Sequence, residues 1–372
     1  MGPTSAVAVA VLVVVAVAVP VLVFLLLDRR HAGRGVAAAV LGAVVAAQLA
    51  AVVAVFGVVN SQYGFYPTWG SLAGQVGSAA PISGTTVGVH TTPLRLDQRV
   101  PRGLVEPPTN FGRYVLSTVA GGISHFRQRV NVWLPPQYAD PRYRAVRFPV
   151  VMVLGGAYSG DTSVYNRLNF ARLATTAIQT RRVAPFIAIY PRLNHSVHLD
   201  TECVNFPGGG PQSYSWLASD VPAWAKTHLR VSVDPRRWSV LGWSTGGYCA
   251  AKLHLLSPGQ FAAAASVEGY FAAEPDGTTG NLAQVLRANP RLAQLNNLNW
   301  VITHHPPRHT HLLVATSLAD PQSKSPSLSF LHAARREPGV QSYIVASLGH
   351  SMPAFRDMTP NVLTWLAGVA GA

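Results

Sequence analysis

Two long apolar stretches open the chain, and shorter alternations of apolar and polar residues follow. Residues 6–27 and 36–59 contain no Asp, Glu, Lys or Arg. About 20 apolar residues are enough for a helix to cross a bilayer, so each stretch predicts a membrane-spanning helix. The sequence DRRHAGRG between them carries Arg29, Arg30 and Arg34. Because short basic loops stay in the cytoplasm, we predict a hairpin over residues 1–60 with both outer ends outside the cytoplasm.

A cleaved signal peptide is the alternative interpretation of the first apolar stretch. Signal peptides place basic residues ahead of a shorter apolar run. Here no basic residue precedes residue 6, and a second apolar stretch follows. The pattern favours the hairpin, so we expect a multi-pass cell-membrane protein that is extracytoplasmic from residue 60 onward.

Residues 61–111 have no clear period and predict a juxtamembrane connector. Aromatic rings just outside an apolar helix are typical of the membrane interface, although they also suit packing beneath a domain. Basic residues in the same segment would favour anionic headgroups. The aromatic residues are Tyr63, Phe65, Tyr66 and Trp69, and the basic ones are Arg95, Arg99 and Arg102.

From residue 112 to residue 372, β-rich runs alternate with helical stretches. This alternation predicts an α/β fold with a mostly parallel sheet, and continuous apolar runs such as FPVVMVL predict strands buried on both faces. The predicted strands are 113–119, 128–135, 148–154, 186–191, 238–242, 262–267, 311–316 and 342–347. The predicted helices are 163–178, 214–228, 245–256, 281–288, 326–337 and a last one that starts at Pro360.

Composition supports a membrane protein and argues against nucleic-acid binding. Charged residues make up 12% of the chain, against about 25% in soluble domains. The net charge is +14, but the basic residues are scattered and form no stripe with interleaved aromatic rings. We therefore expect a membrane containing anionic lipid, and no nucleic acid, as the partner of this charge.

Two cysteines, Cys203 and Cys249, are the complete thiol content. Outside the cytoplasm an even pair favours a disulfide, and two buried thiols are the alternative. Two cysteines alone cannot form a tetrahedral zinc site. The histidines in THHPPRHTH (303–311) match no standard metal-site spacing. We predict neither a metal site nor a cofactor.

The stretch GWSTG (242–246) lies between a predicted strand and a predicted helix. Small residues around a serine occur in any tight turn, but Gly-x-Ser-x-Gly in this position is the nucleophile elbow of α/β-hydrolases. In that fold the acid and the histidine follow the serine along the chain. His350 follows the last predicted strand, and Asp320 follows the strand before it. Glu268, at the end of the strand after the Ser244 helix, is the alternative acid.

A serine hydrolase also needs amides that bind the oxyanion of the tetrahedral intermediate. The residue after the nucleophile supplies one of them, which is the amide of Thr245. The loop after the third strand of the domain supplies the other. In LGGAYSGD, two glycines let the backbone approach the substrate, and we predict the amide of Ala157, with Tyr158 next.

Several motifs resemble the esterase D / antigen 85 (mycolyltransferase-like) group of α/β-hydrolases, over roughly residues 112–370. They are LPPQY, FPVVMVLGGAYSGD, GWSTGGYCAAKLHLLSPGQFAAAASVEGYF and LGHSMPAF. The resemblance implies Ser244 as nucleophile, His350 as base, Asp320 as acid and the amide of Ala157 in the oxyanion hole. The chain departs from the group in its Glu268-Gly269 pair and in its membrane hairpin, and the residues that bind trehalose there have no clear match.

Together these features predict a membrane-anchored extracytoplasmic serine esterase or acyltransferase. Its expected substrates are ester-linked acyl groups of cell-envelope lipids or glycolipids. A non-catalytic envelope-binding module on the same fold is the alternative.

Overall fold

The computed structural model describes residues 3, 5–27, 34–74, 79–82, 88–89, 92–94, 110–157 and 168–369. Among them, the helices are Ala6–Leu27, Arg34–Tyr63, Trp69–Leu72, Phe170–Gln179, Ser213–Ser215, Val221–His228, Thr245–Leu256, Leu282–Ala288, Pro290–Leu295, Leu298–His304, Lys324–Ala333 and Met352–Val369. A π-helical turn, Trp216–Asp220, joins two of them, and 3-10 turns lie at Pro136–Tyr138, Pro141–Tyr143 and Pro235–Arg237. Several predicted features lie outside these residues, namely Arg29, Arg30, Arg95, Arg99, Arg102 and Tyr158.

Two helices are long and apolar enough to cross a membrane. Ala6–Leu25 has a mean hydropathy of 3.2 and Leu41–Tyr63 has one of 2.4. The two helices pack along each other, with Gly57 of the second against Leu12 of the first. The first span, near the N-terminus, also satisfies the length and composition of a signal sequence. The two helices are therefore candidate membrane spans, and their orientation across the membrane remains a prediction.

The described strands form one mixed sheet. The strands are β1 (Pro81–Ile82), β2 (Thr92–Pro93), β3 (Arg113–Ala120), β4 (Arg127–Leu134), β5 (Val150–Leu154), β6 (Ile187–Pro191), β7 (Trp238–Trp243), β8 (Ala263–Val267), β9 (Leu312–Ser317) and β10 (Val340–Val345). Their order is β1-β10-β9-β8-β7-β5-β6-β4-β3, and β2 also pairs with β10. Strands β6, β5, β7, β8, β9 and β10 are parallel, whereas β3, β4 and β1 run antiparallel to their neighbours.

The register of the parallel strands brings their carboxyl ends to one edge of the sheet. Trp243 pairs with Val267, and Val267 pairs with Ala315. Residues that follow β7, β8, β9 and β10 therefore share this edge, as expected for parallel strands. Apolar side chains are buried on both faces of the sheet, which explains why the central strands are continuously apolar.

The predicted α/β fold is confirmed, but some boundaries differ. The last helix begins at Met352 and passes through Pro360, so the predicted start at Pro360 is wrong. Proline inside a helix costs about 3 kcal/mol. Buried apolar residues lie on both sides of it, and each contributes about 1.5–3 kcal/mol by burial, which outweighs that cost. They include Phe355, Met358, Val362, Leu363 and Leu366.

Two further differences concern weak sequence patterns. The helices Pro290–Leu295 and Leu298–His304 were not predicted, because each spans only two turns or fewer. The segment predicted as a connector contributes β1 and β2, both of which pair with β10. Part of it therefore belongs to the edge of the sheet.

Candidate active site

Ser244 occupies a strained turn between β7 and the helix Thr245–Leu256. Its backbone has φ 55° and ψ −127°, a region that residues other than glycine rarely adopt. The flanking glycines leave room for the turn. A Cβ at Gly242 would collide with the backbone of Gly246, and one at Gly246 would collide with the carbonyl of Leu154. The sequence Gly-x-Ser-x-Gly is therefore required by close packing of strand, turn and helix.

His350 bridges Ser244 and Asp320 at the carboxyl edge of the sheet. Its Nε2 atom is 3.0 Å from Ser244 Oγ, and its Nδ1 atom is 2.9 Å from Asp320 Oδ2. Asp320 is fully buried and the His350 side chain is 11% exposed. Gln322 N donates to Asp320 Oδ1 at 2.9 Å, and the hydroxyl of Ser323 donates to Asp320 Oδ2. The three residues predicted as nucleophile, base and acid thus form one hydrogen-bonded chain.

Glu268, the alternative acid, lies beside this chain without joining it. Its Oε2 atom is 3.9 Å from His350 Nδ1, which is beyond hydrogen-bond distance. Within the described residues neither carboxyl oxygen has a hydrogen-bond partner. Burial, reinforced by the charge of Asp320, raises the pKa of Glu268 well above its usual range. Burial therefore favours the neutral form of Glu268, and Asp320 is the carboxyl group that contacts the histidine.

The two predicted oxyanion amides lie next to Ser244. Thr245 is the first residue of its helix, where an N–H has no acceptor within the helix. Gly156 approaches the serine so closely that a Cβ there would be 3.5 Å from Ser244 Cβ, and Ala157 follows it. Asn194 Nδ2 donates to the Ala157 carbonyl at 3.1 Å, a contact that anchors this residue on its C-terminal side.

A buried polar network lies behind Thr245 and was not predicted. Thr245 Oγ1 donates to Asp200 Oδ2 at 3.5 Å and is 3.0 Å from the hydroxyl of Tyr270. Tyr270 donates to Glu202 Oε1 at 2.6 Å. Asn194, which holds Ala157, also donates to Asp200 Oδ1 at 3.2 Å. The network therefore connects the two residues predicted to supply the oxyanion amides.

Burial disfavours the charged forms of the acidic and basic side chains in and beside this network. Burial, with the nearby charge of Asp200, raises the pKa of Glu202 to about 9, and burial also raises the pKa of Asp200. Burial lowers the pKa of Lys252 to about 7. The ammonium of Lys252 donates to the Cys203 carbonyl at 2.6 Å and to Asn296 Oδ1. One feature of the sequence could have indicated this network. The chain has only 15 acidic residues, and two of them, Asp200 and Glu202, lie two positions apart.

Cys203 and Cys249 form a disulfide with a Cα–Cα distance of 5.9 Å. It joins the loop at residues 200–216 to the helix Thr245–Leu256, which starts immediately after Ser244. The start of this loop is buried, including Asp200, Thr201, Glu202, Cys203 and Val204. The disulfide ties this buried part of the loop to the helix that follows the nucleophile.

Two histidines of the stretch at residues 303–311 contact neighbouring side chains. The ring of His304 stacks on Trp300 at 4.7 Å between centroids. The amide of His311 donates to His254 Nε2 at 3.0 Å. Among the described residues, the group with ligand atoms close enough for a metal ion is Glu268, Asp320 and His350. In that group His350 Nδ1 is already bonded to Asp320.

Comparisons with known proteins identify an esterase family. Residues 126–325, more than half of the chain, match a family described as "Putative esterase". An uncharacterized protein of Corynebacterium glutamicum is 27% identical over 197 residues, which are 53% of this chain and 44% of that protein. The match therefore spans less than half of the length of this relative.

Solved structures of esterases share the fold. A ferulic acid esterase, 16% identical, superposes with a TM-score of 0.61 over 70% of this chain and 100% of that chain. An S-formylglutathione hydrolase from Agrobacterium tumefaciens, 18% identical, gives 0.57 over 72% and 99%. A fluorophosphonate-binding serine hydrolase of Staphylococcus aureus, 16% identical, gives 0.57 over 69% and 98%. At these identities the likeness shows the α/β-hydrolase fold alone.

Proposed function

Because the chain belongs to this esterase family, we propose that it is a carboxylic-ester hydrolase in which Ser244, His350 and Asp320 carry out the reaction. The observation that supports this assignment is the hydrogen-bonded chain from Ser244 Oγ through the imidazole to Asp320 Oδ2. A serine hydroxyl is a weak nucleophile unless an adjacent base takes its proton, and the base must be oriented by a third group.

In the proposed reaction, Ser244 Oγ attacks the ester carbonyl while His350 Nε2 takes the hydroxyl proton. The amides of Thr245 and Ala157 bind the oxyanion of the tetrahedral intermediate. The imidazolium then gives its proton to the leaving alcohol as the acyl-serine forms. Water or a sugar hydroxyl attacks the acyl-serine, His350 takes the proton of the acceptor, and Ser244 recovers it as the acid or new ester leaves. Asp320 orients the imidazole and stabilises the imidazolium throughout.

We propose that the substrates are ester-linked acyl groups of cell-envelope lipids or glycolipids, and that the domain is extracytoplasmic. Two candidate membrane spans support the placement at a membrane. The disulfide supports an oxidising compartment, because cytosolic thiols are kept reduced. We assign the membrane hairpin to residues 1–60, the juxtamembrane segment to residues 61–111 and the catalytic domain to residues 112–372.

The test of the catalytic assignment is labelling with a fluorophosphonate probe, which forms a covalent bond with an activated serine. We expect the full chain to label at Ser244, and Ser244→Ala to abolish labelling. The non-catalytic binding module predicts no labelling of folded wild-type protein. If labelling occurs on another serine, the assignment of Ser244 is wrong.

Substrate and topology need separate measurements. Lipid analysis of a strain carrying Ser244→Ala, compared with wild type, should show accumulation of the acylated substrate or loss of its product. A reporter that is active only outside the cytoplasm, fused after Ala372, should be active. A silent reporter would contradict the extracytoplasmic placement without affecting the assignment of the nucleophile.

A further inference from the structure

The second apolar helix ends directly beside the two loops that carry Asp320 and His350. The amide of His350 donates to the carbonyl of Gly64, one residue past the end of that helix, at 3.1 Å. Gly64 also lies against Pro321, and a Cβ at position 64 would collide with the proline ring. A single residue at the end of a candidate membrane span therefore contacts both the histidine loop and the acid loop.

Residues 60–67, here called the exit segment, are shaped for this contact. Gly64 has φ +65°, a conformation that favours glycine. A Cβ at Gly349 would collide with the carbonyl of Gly64 and come close to that of Phe65. Asn60 is 1% exposed, and its side chain accepts from Tyr66 N at 2.7 Å and donates to Tyr66 O at 2.9 Å. These contacts hold the exit segment in one conformation against the catalytic loops.

In a bilayer crossed by the second apolar helix, the exit segment would lie close to the membrane surface. The apolar run ends at Val59, and Gly64 is five residues further on. At 1.5 Å per helical residue this is a rise of about 8 Å. The polar headgroup layer is about 5–8 Å thick on each side of the hydrocarbon core. The backbone of His350, hydrogen-bonded to Gly64, therefore lies at the outer limit of the headgroups.

Exposed aromatic rings surround this contact. Rings of this kind are enriched where a helix leaves the bilayer, because one part of each ring is apolar and another is polar. Tyr63 and Phe65 stack with 5.6 Å between centroids. The exposed residues, 37–57% accessible, are Tyr63, Phe65, Tyr66, Trp69 and Leu72. Because they continue the surface of the apolar helix, the bilayer interface is the partner that fits them.

We propose that the exit segment seats the loops of His350 and Asp320 on the outer surface of the bilayer, so that Ser244 takes its ester from that leaflet rather than from solution. This inference rests on the proposed function of Ser244. The catalytic residues lie at the carboxyl edge of the sheet, and the exit segment contacts that same edge. A lipid ester then needs to rise by only the depth of the headgroups to reach the serine.

The location is tested by moving the site away from the membrane. Seven polar, helix-forming residues inserted after Val59 add about 10 Å of helix while leaving the contacts of the exit segment with the catalytic loops in place. The full chain is reconstituted in vesicles containing anionic phospholipid, with two probes, a water-soluble butyrate ester and a long-chain fluorogenic ester dissolved in the bilayer. We expect unchanged butyrate hydrolysis and at least a tenfold loss on the long-chain ester. An unchanged rate on the long-chain ester would overturn the proposed location.

A second measurement compares two presentations of the same ester. Wild-type protein should cleave the long-chain ester in its own vesicles at least tenfold faster than in added vesicles that contain no protein. Equal rates would show that the ester reaches the site through water, and would contradict the inference.

The seating of the loops is tested with two glycine variants. Gly64→Ala places a Cβ against Pro321, whereas Gly74→Ala has a comparable backbone strain, with φ +81°, but no atom within 4 Å of the added Cβ. We expect Gly64→Ala to slow fluorophosphonate labelling at least tenfold and to lower kcat for the butyrate ester with little change in KM. Gly74→Ala should label and turn over like wild type.

Asn60→Ala provides an independent variant in case Gly64→Ala fails to fold. It loosens the exit segment without adding an atom, and should slow labelling while the thermal midpoint of the catalytic domain is retained. If Gly64→Ala or Asn60→Ala labels as fast as Gly74→Ala, the exit segment does not position the loops of His350 and Asp320. If wild-type Ser244 itself does not label, the proposed function fails instead, so the two failures are distinguishable.

Discussion

The pair Asp320→Asn and Glu268→Gln tests which carboxyl group supports His350. Asp320 Oδ2 is 2.9 Å from His350 Nδ1 and Glu268 Oε2 is 3.9 Å away, and both carboxyl groups are buried. At an effective dielectric constant of about 20, an ionised carboxylate at 2.9 Å interacts with the imidazolium by about 6 kcal/mol. We therefore expect Asp320→Asn to lower kcat by about 10⁴, which corresponds to about 5.5 kcal/mol.

Glu268→Gln should behave differently because it removes no charge. Burial raises the pKa of Glu268 well above its usual range, so we expect the neutral form to be favoured in the wild-type protein. Glutamine has the same shape and the same charge as the protonated acid. We expect kcat to stay within about threefold of wild type, or about 0.7 kcal/mol. An ionised Glu268 at 3.9 Å would contribute about 4 kcal/mol by the same relation, and its loss would lower kcat about a thousandfold.

The assay is turnover of a water-soluble short-chain ester by the full chain, with fluorophosphonate labelling as a second readout. Folding is checked through the thermal midpoint. The native state keeps a proton on Glu268 that the unfolded chain loses above about pH 4.5, so wild-type stability falls as pH rises through this window. Glu268→Gln lacks this dependence, and its midpoint at pH 8 should not lie below that of wild type. A thousandfold loss in Glu268→Gln, with little effect of Asp320→Asn, would refute the assignment of the acid.

Three further outcomes follow from the structure. Reduction of the Cys203–Cys249 disulfide, which closes a loop of 46 residues, should lower the free energy of unfolding by about 4 kcal/mol in urea titrations, and an unchanged midpoint would contradict its stabilising role. Glu202, whose pKa burial raises to about 9, keeps a native proton that the unfolded chain loses, so this residue alone should lower the free energy of unfolding by about 1.4 kcal/mol per pH unit between pH 5 and 7. Glu202→Gln should reduce this slope, and identical slopes would show that the side chain is ionised. Gly246→Ala, whose Cβ collides with the Leu154 carbonyl, should abolish labelling, whereas Gly259→Ala, with no atom within 4 Å, should label normally, and normal labelling of both would refute the packing argument.

The central strands and the candidate spans could be predicted because burial on both faces, or in lipid, leaves a continuous apolar run in the sequence. The helix boundaries and helices that were predicted wrongly or missed have identifiable physical causes. Pro360 carries a strong local signal for a helix start, but apolar contacts with the sheet on both sides of it decide the outcome. The short helices Pro290–Leu295 and Leu298–His304 have too few turns to show a clear period.

The candidate site also has features that the sequence could predict and one that it could not. Ser244, His350 and Asp320 could be named in advance because each follows a recognisable strand, and parallel strands bring their carboxyl ends together. The spacing along the chain could not decide between Asp320 and Glu268. That choice depends on a difference of 1.0 Å between two distances to His350 Nδ1, and on the absence of hydrogen-bond partners for Glu268 within the described residues.

By itself, the sequence determined the fold class, the candidate spans and the identity of the strand-end residues, because periodicity and local turn chemistry are encoded in neighbouring positions. Only the tertiary structure decided which buried acids are neutral, and that Gly64 supports the loop of His350. These features join residues 68 to 286 positions apart, such as Glu202 to Tyr270 and Gly64 to His350. Contacts of this kind arise from packing between distant segments, and no local pattern in the chain records them.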